Sequence, residues 1–194
     1  MVKQATLQSH KLTTIEDAKF ALDKLNIQNE IKASVCGDQA ESAIDVARAT
    51  VPTCICLDLE DLKCFEAVEC QYERWGVIFH NSIAIQPSNP AFPPYSGLIV
   101  LMAAPKSGFL EATFLRPVNS VSAFVTSSQR LVLSAYDRDR QLIAQTALPS
   151  PNLANSDSAI SPNTLLSITG NNIYSVTFCA FDGQFTLDNF RFCL

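Results

Sequence analysis

From about residue 54 onward, short apolar runs alternate with clusters of Pro, Asn, Asp, Ser and Gly, the pattern of β-strands joined by turns. The runs predict strands over 53–59, 76–79, 98–103, 110–114, 118–126, 131–136, 141–147, 165–169, 174–181 and 185–192. Tyr174, Val176, Phe178 and Ala180 alternate with Ser175, Thr177 and Cys179, and a period of two puts one set on a buried face. Val121, Ala123 and Val125 do the same against Ser122 and Thr126. The stretches 87–94 and 149–162 read as loops, and no internal repeat is visible. Strands at this spacing without intervening helices predict a mainly β protein, an antiparallel sandwich or jelly roll.

The first fifty residues follow a different period. Thr14 and Asp17 have the form of a capping box, and Ile15, Ala18, Leu22 and Leu25 follow at helical spacing. Asp38 and Glu41 offer a second cap ahead of Ile44 and Ala47, Pro52 is a stop, and Gly37 lies between the two segments. The pattern predicts a short N-terminal helical appendage over 1–52 and a β-sandwich over 53–194.

Composition narrows the class. With 194 residues, 47% of them hydrophobic and 17% charged, the chain is long enough for one core and too apolar to be disordered. A net charge of −5 offers no basic patch to nucleic acid or anionic lipid, and no run is long enough to span a membrane as a helix. Residues 1–11 lack the apolar core of a secretory signal, so by sequence the chain is expected in the cytoplasm. Seven cysteines at irregular spacing predict mostly small core or strand residues rather than a full disulfide framework. Cys64 and Cys70 flank one short loop and form the first pair to test in an oxidising compartment.

The closing run, Phe185 to Phe192, carries one carboxylate, Asp188, among apolar and aromatic residues. A charge there needs a cation, a hydrogen-bond set or a turn. Asp182-Gly183 is a hairpin turn pair, and Asp137-Arg138-Asp139-Arg140 reads as a solvated hairpin. Tyr72, Trp75, Phe92 and Tyr95 are aromatics near loops that a sugar ring could pack on, with Asn81, Asn89 and Asp137 as partners for its hydroxyls; Trp is more often a core anchor than a ligand platform.

Six segments occur in an order that resembles a known family. Asp58-Leu59-Glu60 stands where an Asp-Phe-Glu motif is found; Gln71 to Phe79 follows as Q-Y-x-x-x-G-V-x-F. Ser96-Gly97, Arg116 to Ser122, Ser134 to Asp137 and the F-x-L-D-N-F-x-F run of 185–192 complete the series. Together they are similar to bacterial jelly-roll, galactose-binding-like domains of surface and sorting-tag proteins, over residues 54–194. The resemblance implies a lectin-like or carbohydrate-binding-module-like sandwich, usually extracellular, with one structural calcium between its first and last strands. Glu60 and Asp188 would be the ligands carried over, with loop carbonyls completing the shell. The chain departs from the pattern at Leu59, where the family has Phe, and at Arg140, where it has Gly.

No nucleophile elbow, P-loop, H-E-x-x-H or dinucleotide fingerprint occurs. The expectation is a non-enzymatic module binding a glycan through Tyr72, Trp75, Tyr95 and Asp137. The alternative is a structural or protein-interaction module without sugar binding; a glycoside hydrolase ranks below both.

Overall fold

The computed structural model describes residues 30–35, 53–104 and 108–194. They form ten strands: β1 (Glu30–Ala33), β2 (Cys54–Leu57), β3 (Val77–His80), β4 (Ser82–Ile85), β5 (Val100–Ala103), β6 (Phe109–Ser127), β7 (Leu131–Tyr136), β8 (Leu142–Leu148), β9 (Thr164–Cys179) and β10 (Phe185–Cys193). A single 3-10 turn, Glu73–Trp75, precedes β3 and ends at Gly76, whose φ of 92° suits a residue without a β-carbon. The chain is mainly β, as its alternation predicts.

One mixed sheet contains all ten strands, in the order β1-β2-β10-β6-β9-β7-β8, with β3 on β6 and β4–β5 joined to β10. Two of the predicted strand pairs fuse: 110–114 with 118–126 into β6, and 165–169 with 174–181 into β9. The β6–β9 ladder runs on through two irregularities: residues 114–117, ending at Pro117, which has no N–H to give a ladder, stand against Tyr174, and Asn119 stands against Gly170-Asn171-Asn172. Each long strand therefore serves two parts of the sheet. The first half of β6 pairs with β3 and the second half with β10, while β9 runs along its other edge.

The buried face converges on aromatic rings. Phe79 of β3 meets Phe190 of β10 edge-on at 5.2 Å, Phe178 of β9 lies 6.4 Å from both Phe185 and Phe190, and Phe114 lies 5.2 Å from Phe192. These contacts close the sheet over one core. In β10 the inward positions switch from Phe185 and Leu187 to Phe190 and Phe192, a change of parity that a regular strand forbids. A one-residue β-bulge between Asp188 and Arg191 makes the switch, with Asn189 in the left-handed region that Asn tolerates. Asn189 Oδ1 accepts the Cys56 thiol at 2.6 Å.

The helical expectations for 14–25 and 38–47 lie outside the described residues. Within the segment 1–52, residues 30–33 are a strand, β1, parallel to β2 in the register Glu30↔Cys54 to Ala33↔Leu57. Ion pairs Glu30–Arg191 and Lys32–Asp58, both 2.8 Å, and a 3.1 Å bond from Trp75 Nε1 to the Ser34 carbonyl fasten it. A disulfide joins Cys54 to Cys193, which are direct cross-strand partners of β2 and β10. The pair singled out in the sequence is not the bonded one: Cys64 and Cys70 are free and exposed.

Candidate functional site

The two carboxylates expected to hold calcium do meet, on a loop. Asp188 Oδ2 accepts the backbone N–H groups of Tyr95 and Ser96 at 2.7 and 2.9 Å, and Oδ1 accepts the Ser96 hydroxyl at 3.4 Å. Glu60 Oε1 accepts Leu98 N–H and Ile99 N–H at 3.0 and 3.1 Å, and Oε2 accepts Leu98 N–H at 3.1 Å. Gly97, at φ 60°, turns the chain between the two sets of donors. Asp188 is only 4% exposed, and burial pushes its carboxyl above the usual range. N–H bonds from Ser96, Tyr95 and Asn189 pull the other way without cancelling that effect.

The partners of the two carboxylates are N–H and O–H donors, not the carbonyl oxygens that the calcium expectation calls for. Calcium needs six to eight oxygens, whereas these carboxylates face N–H donors whose positive ends would repel a cation. Among the described residues no group of three or more His, Cys, Asp or Glu is placed to hold a metal. The pair is an intramolecular clamp on residues 95–99.

The four residues expected to bind ligand do not gather. Tyr72 is fully buried, stacks edge-on against Phe79, and donates its hydroxyl to the Asp58 carbonyl at 2.5 Å; burial raises its pKa. The Q-Y segment thus supplies a core residue, because the 3-10 turn after it folds Tyr72 inward. Trp75 borders a hollow of about 320 Å³. Its indole N–H is committed to Ser34, and the Arg74 guanidinium lies 5.5 Å from its ring centroid. Tyr95 is half-exposed, with its ring stacked on Phe124 at 3.5 Å. Asp137 organises its own hairpin, Oδ1 accepting the N–H groups of Asp139 and Gln141 at 2.9 and 2.8 Å. In that hairpin Arg140 takes the left-handed backbone at φ 63°, where the resembled family has Gly.

A different surface collects chemistry. Leu131, Leu133 and Ala135 of β7, Val176 and Phe178 of β9, and Leu110 and Ala112 of β6 point into the core. Their alternates therefore share the outward face. The ladder registers set His80, Glu111, Thr177, Ser134 and Gln145 side by side across β3, β6, β9, β7 and β8. On one side of this polar row stand Phe109, Cys179 and Val132, and on the other Tyr136. Ser134 Oγ accepts Gln145 Nε2 at 2.9 Å, and Glu111 is ion-paired with Arg140. A cleft of about 490 Å³ opens over the part of this face that holds Thr177, Ser134 and Gln145, with Thr177 and Ser134 buried at its floor and Gln129, Arg130 and the 83%-exposed Phe181 at its border. Sequence reasoning passed over it because alternation assigns the polar residues of a strand to one face without saying which strands lie beside it. The signal was present in Ser134-Ala135-Tyr136 and in Thr177 and Cys179, once β7 and β9 are known to be neighbours.

No family model matches the chain, and no curated protein matches it. Among solved structures it is similar to an arabinose-bound α-L-arabinofuranosidase, with TM-score 0.39 and 11% identity over 70% of this chain. The chain spans 25% of the length of that enzyme. A DUF4465 family protein from Bacteroides caccae gives TM-score 0.39 and 10% identity over 61% of this chain and 82% of the other. The CBM22-1 xylan-binding domain of a Paenibacillus barcinonensis protein gives 0.34 and 12% over 68% and 90%. At such identities the ligand chemistry has to be read from this chain's own residues.

Proposed function

We propose that this chain is a non-catalytic β-sandwich module of the jelly-roll type that binds a glycan on the outward face of β6, β9, β7 and β8. The observation that carries the reading is the polar group of Thr177, Ser134 and Gln145 in the cleft, flanked by Phe109 and Phe181 on one side and Tyr136 on the other, with Glu111 next to Thr177 in the ladder. A pyranose presents apolar C–H faces and a fringe of hydroxyls. Rings stack on the first, and hydroxyl and amide side chains bond the second. The cleft volume of about 490 Å³ falls within the range of small-molecule sites.

Hydrolysis of a glycosidic bond takes two carboxylates at a set separation. In the described row Glu111 is the one carboxylate, and its charge is held by Arg140. That supports binding over catalysis. The Cys54–Cys193 disulfide supports an oxidising setting, in keeping with the extracellular habit of the resembled family.

The test is calorimetric titration against the oligosaccharides selected by a glycan array, with Tyr136→Ala and Ser134→Ala as variants. Binding lost in both variants while their melting temperatures hold supports the reading. An array without a response, or affinity indifferent to both substitutions, removes it.

A further inference from the structure

The same face carries an asymmetry of charge. Among the described residues lining the cleft, Arg130 is the one with a formal charge. It sits in the turn between β6 and β7, beside Gln129, is exposed, and makes no ion pair with any described residue. The nearby carboxylate of the polar row, Glu111, is already neutralised by Arg140. The cleft therefore offers an uncommitted guanidinium at one end of a face otherwise made of rings, hydroxyls and amides.

We infer that the ligand of this face is an acidic glycan, one whose sugar oxyanions are met by Arg130. This rests on the glycan reading above and sharpens it to a substrate class. The guanidinium presents paired N–H donors in a planar fork that matches an oxyanion bidentately, which a neutral hydroxyl cannot reciprocate. The chain as a whole is negative by five charges, so its general field repels a polyanion. Discrimination in favour of one must come from a local cation, and Arg130 is placed to supply it. Phe181, which follows β9, and Phe109, at the start of β6, border the same cleft and provide the stacking partners a charged sugar still requires.

Cys179 gives the face a built-in reporter. It is a free, half-buried thiol lining the cleft between Phe109 and Val132 in the ladder. Its alkylation, followed peptide by peptide so that the other cysteines of the chain are read separately, locates a bound ligand independently of affinity.

The experiment titrates three probes of equal length: a uronic acid oligomer, a sulfated oligomer and an uncharged oligomer. Each is run against wild type, Arg130→Gln and Arg130→Lys, with Cys179 alkylation followed throughout. The expected result is that one or both acidic probes bind at least tenfold tighter than the neutral one and protect Cys179. That preference should weaken with salt, fall roughly tenfold in Arg130→Gln, and survive in part in Arg130→Lys. Whether the carboxylate or the sulfate is preferred identifies the oxyanion. If the neutral probe protects Cys179 as well as the acidic ones do, with Arg130→Gln unchanged, the acidic assignment is overturned while the glycan face stands. If no probe protects Cys179 at saturating concentration, the glycan face falls, and this inference with it.

Discussion

Gly97 and the Glu60 carboxylate compete for one space: a β-carbon on residue 97 would lie 2.1 Å from Glu60 Oε1, inside any real contact. The loop 95–99 is therefore glycine-dependent for two reasons, the left-handed φ of 60° and the carboxylate packed against the bare α-carbon. Gly97→Ala is expected to destabilise the protein by about 2–4 kcal/mol, combining a backbone penalty with a displaced clamp. In Gly97→Ala/Glu60→Ala the clash is gone, so the double variant should lose less than the sum of the singles. Urea unfolding of the four proteins measures the coupling; strict additivity would mean that Glu60 does not occupy that space.

Asp188 holds two N–H groups with one oxygen, so truncation and amidation should differ. Asp188→Ala leaves Tyr95 and Ser96 N–H groups without acceptors and is expected to cost roughly 2–5 kcal/mol. Asp188→Asn can present its amide oxygen at the same position and should cost distinctly less. Denaturant midpoints of the two variants decide this, and equal losses would dismiss the clamp geometry.

The buried Asp188 also leaves a pH signature. Its carboxyl titrates above its ordinary 3.8 in the folded state, so the folded protein holds that proton more tightly than the unfolded chain does. Its contribution to stability is therefore present at low pH and declines as pH rises from 3.8 through the raised value. Asp58 runs the opposite way. Burial works to raise its pKa, but the bond from Lys32 and the Glu60 N–H outweigh it and hold it low. Stability from Asp58 is present at neutral pH and is lost as the solution is acidified below 3.8. The difference in stability between wild type and Asp188→Asn, measured against pH, should shift in favour of the variant as pH rises through the acid range. A flat difference would contradict the burial of the charge.

Chelator and calcium should both leave the melting temperature unchanged, because Glu60 and Asp188 are already satisfied by N–H donors. A calcium-induced rise in melting temperature that Asp188→Ala abolishes would require the 95–99 loop to turn its carbonyls toward the carboxylates, contrary to the arrangement described.

The disulfide should dominate stability. It closes a separation of 139 residues, for which chain entropy gives an upper figure of about 5 kcal/mol. Reduction should lower the melting temperature of wild type and leave Cys54→Ser/Cys193→Ser where it is. Cys64 and Cys70 should alkylate readily in the native protein. Cys56 should not: it is buried, and burial lifts its thiol to about 11.

Much of the strand pattern was legible because alternation survives in single strands: Leu131 to Tyr136 and Phe185 to Phe192 emerge nearly residue for residue. β4 was not, since Ser82-Ile83-Ala84-Ile85 is four residues between Asn81 and a proline loop, too short for a period to register. The Glu60–Asp188 association was legible only through order of motifs. The partners of the two carboxylates were not legible, because side-chain types do not say whether a neighbouring loop offers carbonyls or N–H groups. The Tyr72 assignment failed for a similar reason, as a loop aromatic and a core aromatic look alike in sequence. The cleft face was invisible for want of topology. Thr177 and Ser134 stand more than forty positions apart and become neighbours only when β9 lies between β6 and β7.

The bond between Cys54 and Cys193 also sets how this protein would carry load. Their α-carbons are 4.0 Å apart, at the entry to β2 and the exit of β10. Tension applied to the chain before Cys54 and after Cys193 passes through the two sulfur atoms and bypasses residues 55–192. In a force experiment the oxidised protein should show no unfolding extension from that span, and the reduced one should show all of it. The cleft over β9, β7 and β8, enclosed by that covalent ring, would keep its shape while the chain on either side is pulled.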